Sequence, residues 1–430
     1  MRKLLSVLSL LVFPVSLSWA VGSGGYTNQV VGTKALGMGN TFVATADDPS
    51  AIYFNPAGLT QLNQPNISFG LAFHKTDTDY TPVGGSETSM KDFTPIVPNF
   101  YATLPFRDKW AFGFGINSPF GLETKWGGSS NDPLRYVATD SKLQLINFNP
   151  TVAYKINNQV SVGGGVVYGL VNADLRSKVN VTAINGSASS DGDRKLEGDG
   201  SAWGYDFGVL YAPAEKHKLG LTYRSQLSAT LDGSLEMTGL SGLAASAFVF
   251  NGTSYKTDAT TVIKFPQTVL LGYSYKPNKW TFEIDGEWVD YSTVDDTTID
   301  YKDKSAGPQS VLSIGNPTDR DWHNTWNLGL GANYEFNETW QARGGYFYYP
   351  AAIPERTWDP GNPESSRNGF TLGGSFNRPS FTIDLAYNLI LFNDRTISNS
   401  VGATSASTVN GKYETTAHIL SANVTYKFGR

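Results

Sequence analysis

Near its C-terminus the chain carries the alternating stretch His418-Ile419-Leu420-Ser421-Ala422-Asn423-Val424-Thr425-Tyr426-Lys427-Phe428. Successive side chains of a β-strand point to opposite faces, so the even-numbered residues, mostly apolar, share one face and the odd-numbered ones the other. The same split recurs at 280–285, 326–336 and 381–389. The apolar faces therefore pack either on a second sheet, as in a soluble sandwich, or on lipid.

The connections between strands decide between these two folds. We predict fourteen strands, beginning near Asn66, Phe93, Trp110, Tyr136, Val160, Ala202, Leu219, Thr257, Trp280, Asn324, Trp340, Gly369, Phe381 and Tyr413. Tight turns, such as those at 107–109 and 337–338, alternate with long polar loops near 76–92, 124–135, 180–200, 237–256, 300–322, 351–367 and 396–411. This alternation is typical of outer-membrane barrels, and only a closed barrel satisfies every backbone hydrogen bond of a sheet in lipid. The prediction is an all-β fold, a 14-stranded antiparallel transmembrane barrel over 65–430.

Composition excludes several other classes of protein. Charged residues are 17% of the chain, the net charge is −5, and aromatic residues are plentiful, with 24 Phe, 22 Tyr and 10 Trp. A helical membrane protein needs several apolar runs of about 20 residues, a disordered chain is poor in aromatics, and a nucleic-acid binder carries a basic patch. The absence of Cys excludes disulfides and thiol nucleophiles.

The first twenty residues are predicted to be a secretory signal peptide. Arg2 and Lys3 precede an apolar run from Leu4 to Leu17, and Ser18-Trp19-Ala20 supplies small residues at a cleavage site. A membrane anchor is the alternative, but Pro14 interrupts a run that is already short for a span. We expect cleavage after Ala20 and export of the mature chain.

Residues 21–64 form a Gly/Ala-rich segment that is too polar for lipid yet precedes the first strand. It ends in Asn55-Pro56-Ala57-Gly58-Leu59, and a small-residue segment of this kind can enter a barrel and plug it. This run resembles the N-terminal hatch of the FadL family of outer-membrane hydrophobic-compound channels. Further matches follow at Ser118-Pro119-Phe120-Gly121-Leu122-Glu123, Leu221-Thr222-Tyr223-Arg224-Ser225 and the Pro-rich loop from Tyr349-Pro350 to Arg356.

The resemblance implies passive uptake of hydrophobic molecules, either long-chain fatty acids or aromatic hydrocarbons, across the outer membrane of a Gram-negative bacterium. It implies capture among the loops, binding in the lumen and lateral exit at a kinked third strand. Asn55, Pro56, Ala57 and Gly58 are then expected to act in gating. Ser118, Pro119, Phe120 and Gly121 would form the kink, since proline cannot donate to a ladder and glycine lets the backbone bend. An ordinary bulge at 118–121 is the alternative.

Candidate ligand contacts are of two kinds. The loop near 237–256 is unusually apolar, and exposed apolar patches usually bind something; its candidates are Leu240, Leu243, Phe248 and Phe250. Alternatively, this loop packs as a lid on other loops. In the lumen, Arg176, Arg224 and Arg343 are candidates for a fatty carboxylate, which guanidinium binds bidentately. Inward Asp206, Glu283, Asp285, Glu287 and Asp384 could instead pair with these arginines.

Other functions fit the sequence less well. No Gly-x-Ser-x-Gly elbow or His pair at i, i+4 is present, so we expect neither an enzyme nor a metal or cofactor site. A general porin needs an unobstructed lumen, whereas this chain has a plug before its first strand. A secondary role of the long loops as an adhesin or receptor is not excluded by the sequence. The expected partners are hydrophobic small molecules, outer-membrane lipid and the barrel-assembly machinery, with no nucleic acid, and the chain is expected to be a monomer.

Overall fold

The computed structural model describes residues 27–28, 30–180, 191–240, 253–403 and 408–429. Within them the chain is an antiparallel β-barrel whose sheet closes on itself. Three barrel strands are broken into two pieces, labelled a and b. The strands are β1 Asn66–Pro82, β2 Ile96–Phe106, β3a Trp110–Asn117 and β3b Gly121–Lys125, β4 Asp140–Lys155, β5 Val160–Val179, β6 Gly192–Ala214, β7a His217–Arg224 and β7b Leu227–Thr238, β8a Ser254–Phe265 and β8b Thr268–Tyr275, β9 Trp280–Val289, β10 Thr325–Glu335, β11 Trp340–Tyr349, β12 Arg367–Asn377, β13 Phe381–Phe392 and β14 Gly411–Lys427.

Each strand pairs with its sequence neighbours, and the barrel closes where β1 meets β14. The closing register runs from the Asn66–Lys427 pair to the Pro82–Gly411 pair. The predicted 14-stranded antiparallel barrel is confirmed. Tight turns lie at one end, called here the turn rim, and longer connections lie at the other, the loop rim. The loop rim also carries the short strands Thr88–Ser89, Asp296–Thr297, Ile299–Tyr301, Thr318–Asp319 and Arg395–Ile397, the helix Ala306–Leu312, and the 3-10 turns Tyr291–Thr293 and Glu355–Thr357.

The alternation read from the sequence places side chains as expected. On β14, Leu420, Val424 and Tyr426 are exposed on the outer face, whereas Ser421 and Thr425 are buried inside. A barrel strand presents apolar residues to lipid and polar residues to the lumen, and this is the pattern observed. Among the described residues, no helix is long and apolar enough to cross a membrane.

One strand boundary differs markedly from its prediction. β6 begins at Gly192 and not near Ala202, so residues 192–200, predicted as loop, extend the strand above the apolar band. Residues 193–201 pair with β7b over their whole length. They are polar because they project beyond the lipid, and their polarity concealed the strand.

Residues 30–64 lie inside the barrel and will be called the hatch. They contain the short helices Thr33–Leu36 and Ala51–Phe54 and the 3-10 helix Pro56–Gln61. Polar wall side chains hold the hatch backbone: Asp285 accepts from the Phe42 and Val43 amides at 2.7 and 3.0 Å, and Glu283 accepts from the Ala44 amide at 2.7 Å.

Glycines on the wall face the hatch where the two backbones come close. A Cβ at any of them would lie within 3 Å of a hatch atom, so no larger residue fits without displacement. These positions are Gly113, Gly163, Gly208, Gly220, Gly272, Gly329, Gly331 and Gly345. The lumen is therefore shaped to this plug, which explains part of the high glycine content.

Candidate ligand route through the barrel

The third strand is broken where Ser118, Pro119 and Phe120 leave the ladder. β3a pairs with both β2 and β4, whereas β3b pairs with β4 alone. The last β2–β3a pair is Phe100–Ile116, so β2 from Ile96 to Asn99 has no ladder partner on this side among the described residues. The ladder of the barrel wall is therefore interrupted beside the residues predicted to form the kink.

The N-terminal end of the described chain lies against this break. The Asn28 amide donates to the Pro119 carbonyl at 2.7 Å, and Thr27 forms an isolated β-bridge with Phe120. The hydroxyls of Thr27 and Tyr291 hydrogen-bond at 2.5 Å. The segment leading into the hatch thus lies against the break and replaces part of the missing pairing.

A cavity lies between the break, the hatch and the far wall; we call it the exit cavity. Pro119 and Phe120 line one side, Tyr53 of the hatch lines another, and Arg224 closes a third. Asn147 and Asp206 contribute polar groups from β4 and β6. The cavity combines apolar and polar lining in the way that ligand sites commonly do.

An apolar cluster connects the exit cavity with the loop rim. It will be called the loop-side cluster, and its buried members include Tyr80, Phe120, Leu122, Trp126, Leu134, Leu143, Leu145, Leu227, Phe265, Tyr291, Trp322, Trp358 and Tyr413. Tyr80 and Tyr413 stack with ring centroids 4.5 Å apart, and Trp358 lies 4.3 Å from Tyr413. Aromatic and aliphatic groups therefore extend without interruption from the loops to the break in the wall.

A second cluster lies against the first helix of the hatch. This hatch-side cluster comprises Val30, Leu36, Ala72, Val97, Phe347, Tyr349, Ala386, Ile390, Ala417 and Ile419, and Phe392 packs against it.

Arg367, the first residue of β12, lies between the two clusters with 0% of its surface exposed. Its guanidinium lies 5.2 Å from the Tyr349 ring and 5.6 Å from the Phe392 ring, both at the hatch-side cluster. It interacts electrostatically with Glu364 and, more weakly, with Tyr291 of the loop-side cluster. None of its three nitrogens has a hydrogen-bond partner among the described residues. A buried cation without hydrogen bonds is costly, so the site has an unmet demand for a hydrogen-bond acceptor.

The nearest carboxyl group does not meet this demand. Glu364, in the loop before β12, accepts from the Ala352 amide at 2.7 Å and pairs with Arg395 at 3.5 Å. Burial raises the pKa of Glu364, against the opposing effects of the Ala352 amide and of the Arg367 and Arg395 charges. Its hydrogen bonds are thus made within the loop, and it reaches Arg367 through charge alone.

The three arginines chosen from the sequence have different surroundings. Arg224 faces the exit cavity, donates to the Tyr53 carbonyl at 2.6 Å and lies over the Tyr53 ring at 3.7 Å. Arg343 is buried and pairs with Asp384 at 3.1 Å. Arg176 was expected in the lumen, and this is wrong: it is exposed on the outer face of β5 and bonds Asp174 with two nitrogens, at 2.8 and 2.9 Å. The reason is parity, since the lumen-facing residues of β5 are odd-numbered.

The apolar loop candidates are only partly visible. Leu240 is fully buried with Leu235, Met237, Ala259, Tyr301 and Leu312. Its side chain packs within the loop base and is not exposed. Leu243, Phe248 and Phe250 lie outside the described residues.

The Asn55-Pro56-Ala57-Gly58 run begins the 3-10 helix of the hatch and lies against the wall. The Asn55 amide nitrogen donates to the carbonyls of Val43 and Val209 at 2.8 and 3.0 Å, and its oxygen accepts from the Ala57 amide at 3.1 Å. Asn55 therefore joins two parts of the hatch to each other and to β6.

Sequence reasoning missed two features of the lumen. Arg367 was not singled out, because its lack of a partner depends on which side chains the fold brings near it. Glu283 and Asp285 were considered as partners of arginines, but they bind hatch amides. Their i, i+2 spacing on a lumen-facing strand was the available signal, since it places two acceptors side by side.

A closed barrel with polar lumen, internal plug and a broken wall strand defines a plugged transport barrel of the outer membrane. The chain belongs to the family described as outer membrane protein transport protein (OMPP1/FadL/TodX), which matches residues 15–428. The protein is accordingly located in the outer membrane of a Gram-negative bacterium, where the long loops of such barrels are extracellular.

Sequence relatives are similar over most of the chain, and solved structures show the same fold. The chain is 24% identical to a long-chain fatty acid transport protein of Escherichia coli O6:H1, over 86% of this chain and 88% of the relative. It is 23% identical to outer membrane protein P1 of Haemophilus influenzae, over 95% of this chain and 96% of the relative. A Pseudomonas aeruginosa FadL homologue has a similar fold, with TM-score 0.79, 19% identity and coverage of 94% of this chain and 100% of the other. The Pseudomonas putida toluene transporter TodX also has a similar fold, with TM-score 0.70, 16% identity and coverage of 95% of this chain and 99% of the other.

Proposed function

We propose that this protein takes up long-chain fatty acids, which are captured at the loops, bound in the lumen and released laterally through the gap beside Pro119. Arg367 is the observation that carries the choice of ligand. A guanidinium without hydrogen bonds, beside the Tyr349 and Phe392 rings, suits an anionic head on an apolar chain. Relatives named as long-chain fatty acid transport proteins support the same choice.

The route follows the apolar residues. A fatty chain would enter among the loops, where the segment containing Leu243, Phe248 and Phe250 is proposed to contribute, and continue along the loop-side cluster. Leu240, which is buried in the loop base, would support this segment and not touch the ligand. The carboxylate would bind Arg367 while the chain lies beside Tyr349 and Phe392. Release requires the Thr27–Phe120 bridge to open. Exit into lipid then avoids exposing the chain to water, which would cost about 0.8 kcal/mol per CH₂ group.

The Arg367→Leu variant tests the carboxylate site. Radiolabelled myristate and toluene would be bound to the purified full-length protein in a detergent that does not fill the lumen. A hydrogen bond to a charged group contributes roughly 1.5–3 kcal/mol, so myristate affinity should fall about tenfold or more, with toluene affinity unchanged. Arg378→Leu, a change at the turn rim, is the matched control and should alter neither.

Other outcomes would redirect the assignment. Equal myristate affinity in wild type and Arg367→Leu would remove Arg367 from the ligand site. Binding of toluene alone would make the protein an aromatic-hydrocarbon channel and would reassign Arg224 and Arg343 to structure. Binding of neither, together with ion conductance in planar bilayers, would indicate a general porin.

A further inference from the structure

The exit cavity contains three buried oxygen atoms that accept no hydrogen bond among the described residues. They are the Oδ1 atoms of Asn117, Asn147 and Asp206. The three residues are 2%, 7% and 5% exposed, and all of them line the cavity. Three unmet acceptors in one enclosed space create a demand for a hydrogen-bond donor.

The ionisable groups of this cavity disfavour an anion. Arg224 is its cation, but its nitrogens donate to the Tyr53 carbonyl at 2.6 Å and to Thr268 at 3.3 Å. Asp206 and Glu287 are its carboxylates, and they accept from Asn149 and Asn327 at 2.8 and 3.0 Å. Two carboxylates against one cation leave a formal charge of −1 on the lining. An added carboxylate would be repelled and would leave the three acceptors unsatisfied.

The remaining lining is suited to an apolar body. Pro119, Phe120, Val167, Leu227 and Pro266 surround the polar atoms. We infer that the exit cavity is a second binding site, specific for a neutral hydroxyl donor on an apolar body. An alcohol, a phenol and a protonated carboxylic acid share this chemistry. The inference rests on the proposed lateral exit, and it places a head-group filter between Arg367 and the membrane.

A comparison of 1-tetradecanol with its methyl ether tests the inference, since the ether keeps the chain and loses only the donor. Both would be radiolabelled and bound to the full-length protein in amphipol, which supplies no detergent to fill the lumen. Wild type should bind the alcohol about fivefold more tightly than the ether, because a net hydrogen bond is worth about a factor of five in affinity. Asn117→Leu and Asn147→Leu should each abolish this preference.

Asn423→Leu, another lumen asparagine on β14 outside this cavity, should keep the preference. Asp206→Asn should raise the affinity for myristate relative to the alcohol at pH 8, because it removes a negative charge. Equal binding of alcohol and ether by wild type, as expected if water alone fills the cavity, would overturn the inference. So would a preference that persists in both Leu variants when circular dichroism shows them folded.

The two proposals fail in distinguishable ways. If Arg367→Leu binds myristate as tightly as wild type does, while wild type still prefers the alcohol to the ether, the carboxylate site is refuted and the exit-cavity site stands. The reverse pattern would refute the exit cavity as a donor site and leave fatty-acid binding.

Discussion

Asn55 holds the hatch together through one side chain. Its three hydrogen bonds reach Val43, Ala57 and Val209, and a buried polar group left without a partner costs about 1–3 kcal/mol. Asn55→Ala should therefore increase the time that the lumen is open. Single-channel recording in planar bilayers should show larger or more frequent currents than wild type, with an unchanged β-barrel circular dichroism spectrum.

A control separates this effect from general loosening of the barrel. Asn423→Leu removes another lumen asparagine but no hatch contact is described for it, so its currents should match those of wild type. Wild-type currents in Asn55→Ala would show that Asn55 does not control the plug.

Single residues differ in how far the sequence alone determines them. Whether a strand residue faces the lipid or the lumen follows from its place in the alternation, which is why Leu420 and Ser421 were placed correctly. Arg176 was misplaced because residue type was given more weight than parity. The importance of Arg367 could not be predicted, since a missing partner is a property of the folded neighbourhood.

The break in β3 contains one residue more than the facing part of β4, and this extra residue can be removed. Three residues, Ser118 to Phe120, stand opposite two on β4, at 145 and 146. Deleting Ser118 and changing Pro119→Val should permit a continuous ladder and close the gap. Uptake of labelled myristate into cells should fall several-fold, whereas binding to purified protein should persist because Arg367 is untouched.

A length control accompanies this variant. Pro119→Val without the deletion keeps the extra residue, so uptake should remain closer to that of wild type. Unchanged uptake in the deletion variant would place the exit elsewhere.

The paired carboxylates of β9 form a second element-level device. Asp285 and Glu283 accept from four successive amides, Phe42 to Thr45. The double variant Glu283→Gln, Asp285→Asn retains size but weakens the acceptors and adds amide donors that face other donors. We expect faster hydrogen exchange at 42–45 and a raised bilayer conductance, with exchange on β14 unchanged as the internal reference.

Equal exchange at 42–45 in this variant and in wild type would mean that packing against the glycine-lined wall is sufficient to hold the segment.

Strand number was easier to predict than strand ends. Alternation against lipid is strong within the apolar band, so the fourteen strands were found. Above the band both faces of a strand are polar, and β6 therefore appeared to start ten residues late. The breaks in β7 and β8 left only weak signals, such as Pro266.

At the scale of the whole molecule, the barrel and the hatch make separable contributions. The fourteen strands close through β1 and β14 without any hatch residue in the ladder. Deleting residues 30–62 should leave a folded barrel with an open lumen. Heat-modifiable migration in gels would report the fold, and bilayer conductance should rise well above that of wild type. Unchanged conductance would count against the plug.

The contact between β1 and β14 also has a consequence for biogenesis. The hatch is synthesised first, yet its partners include Thr371 on β12 and Ser421 on β14, which are translated near the end. Until β1 and β14 pair, the hatch has no complete lumen to occupy. Closure of the barrel and occlusion of its lumen must therefore be completed in the same late event. A chain truncated before β14 would leave its unpaired edge strands and its hatch open to proteolysis.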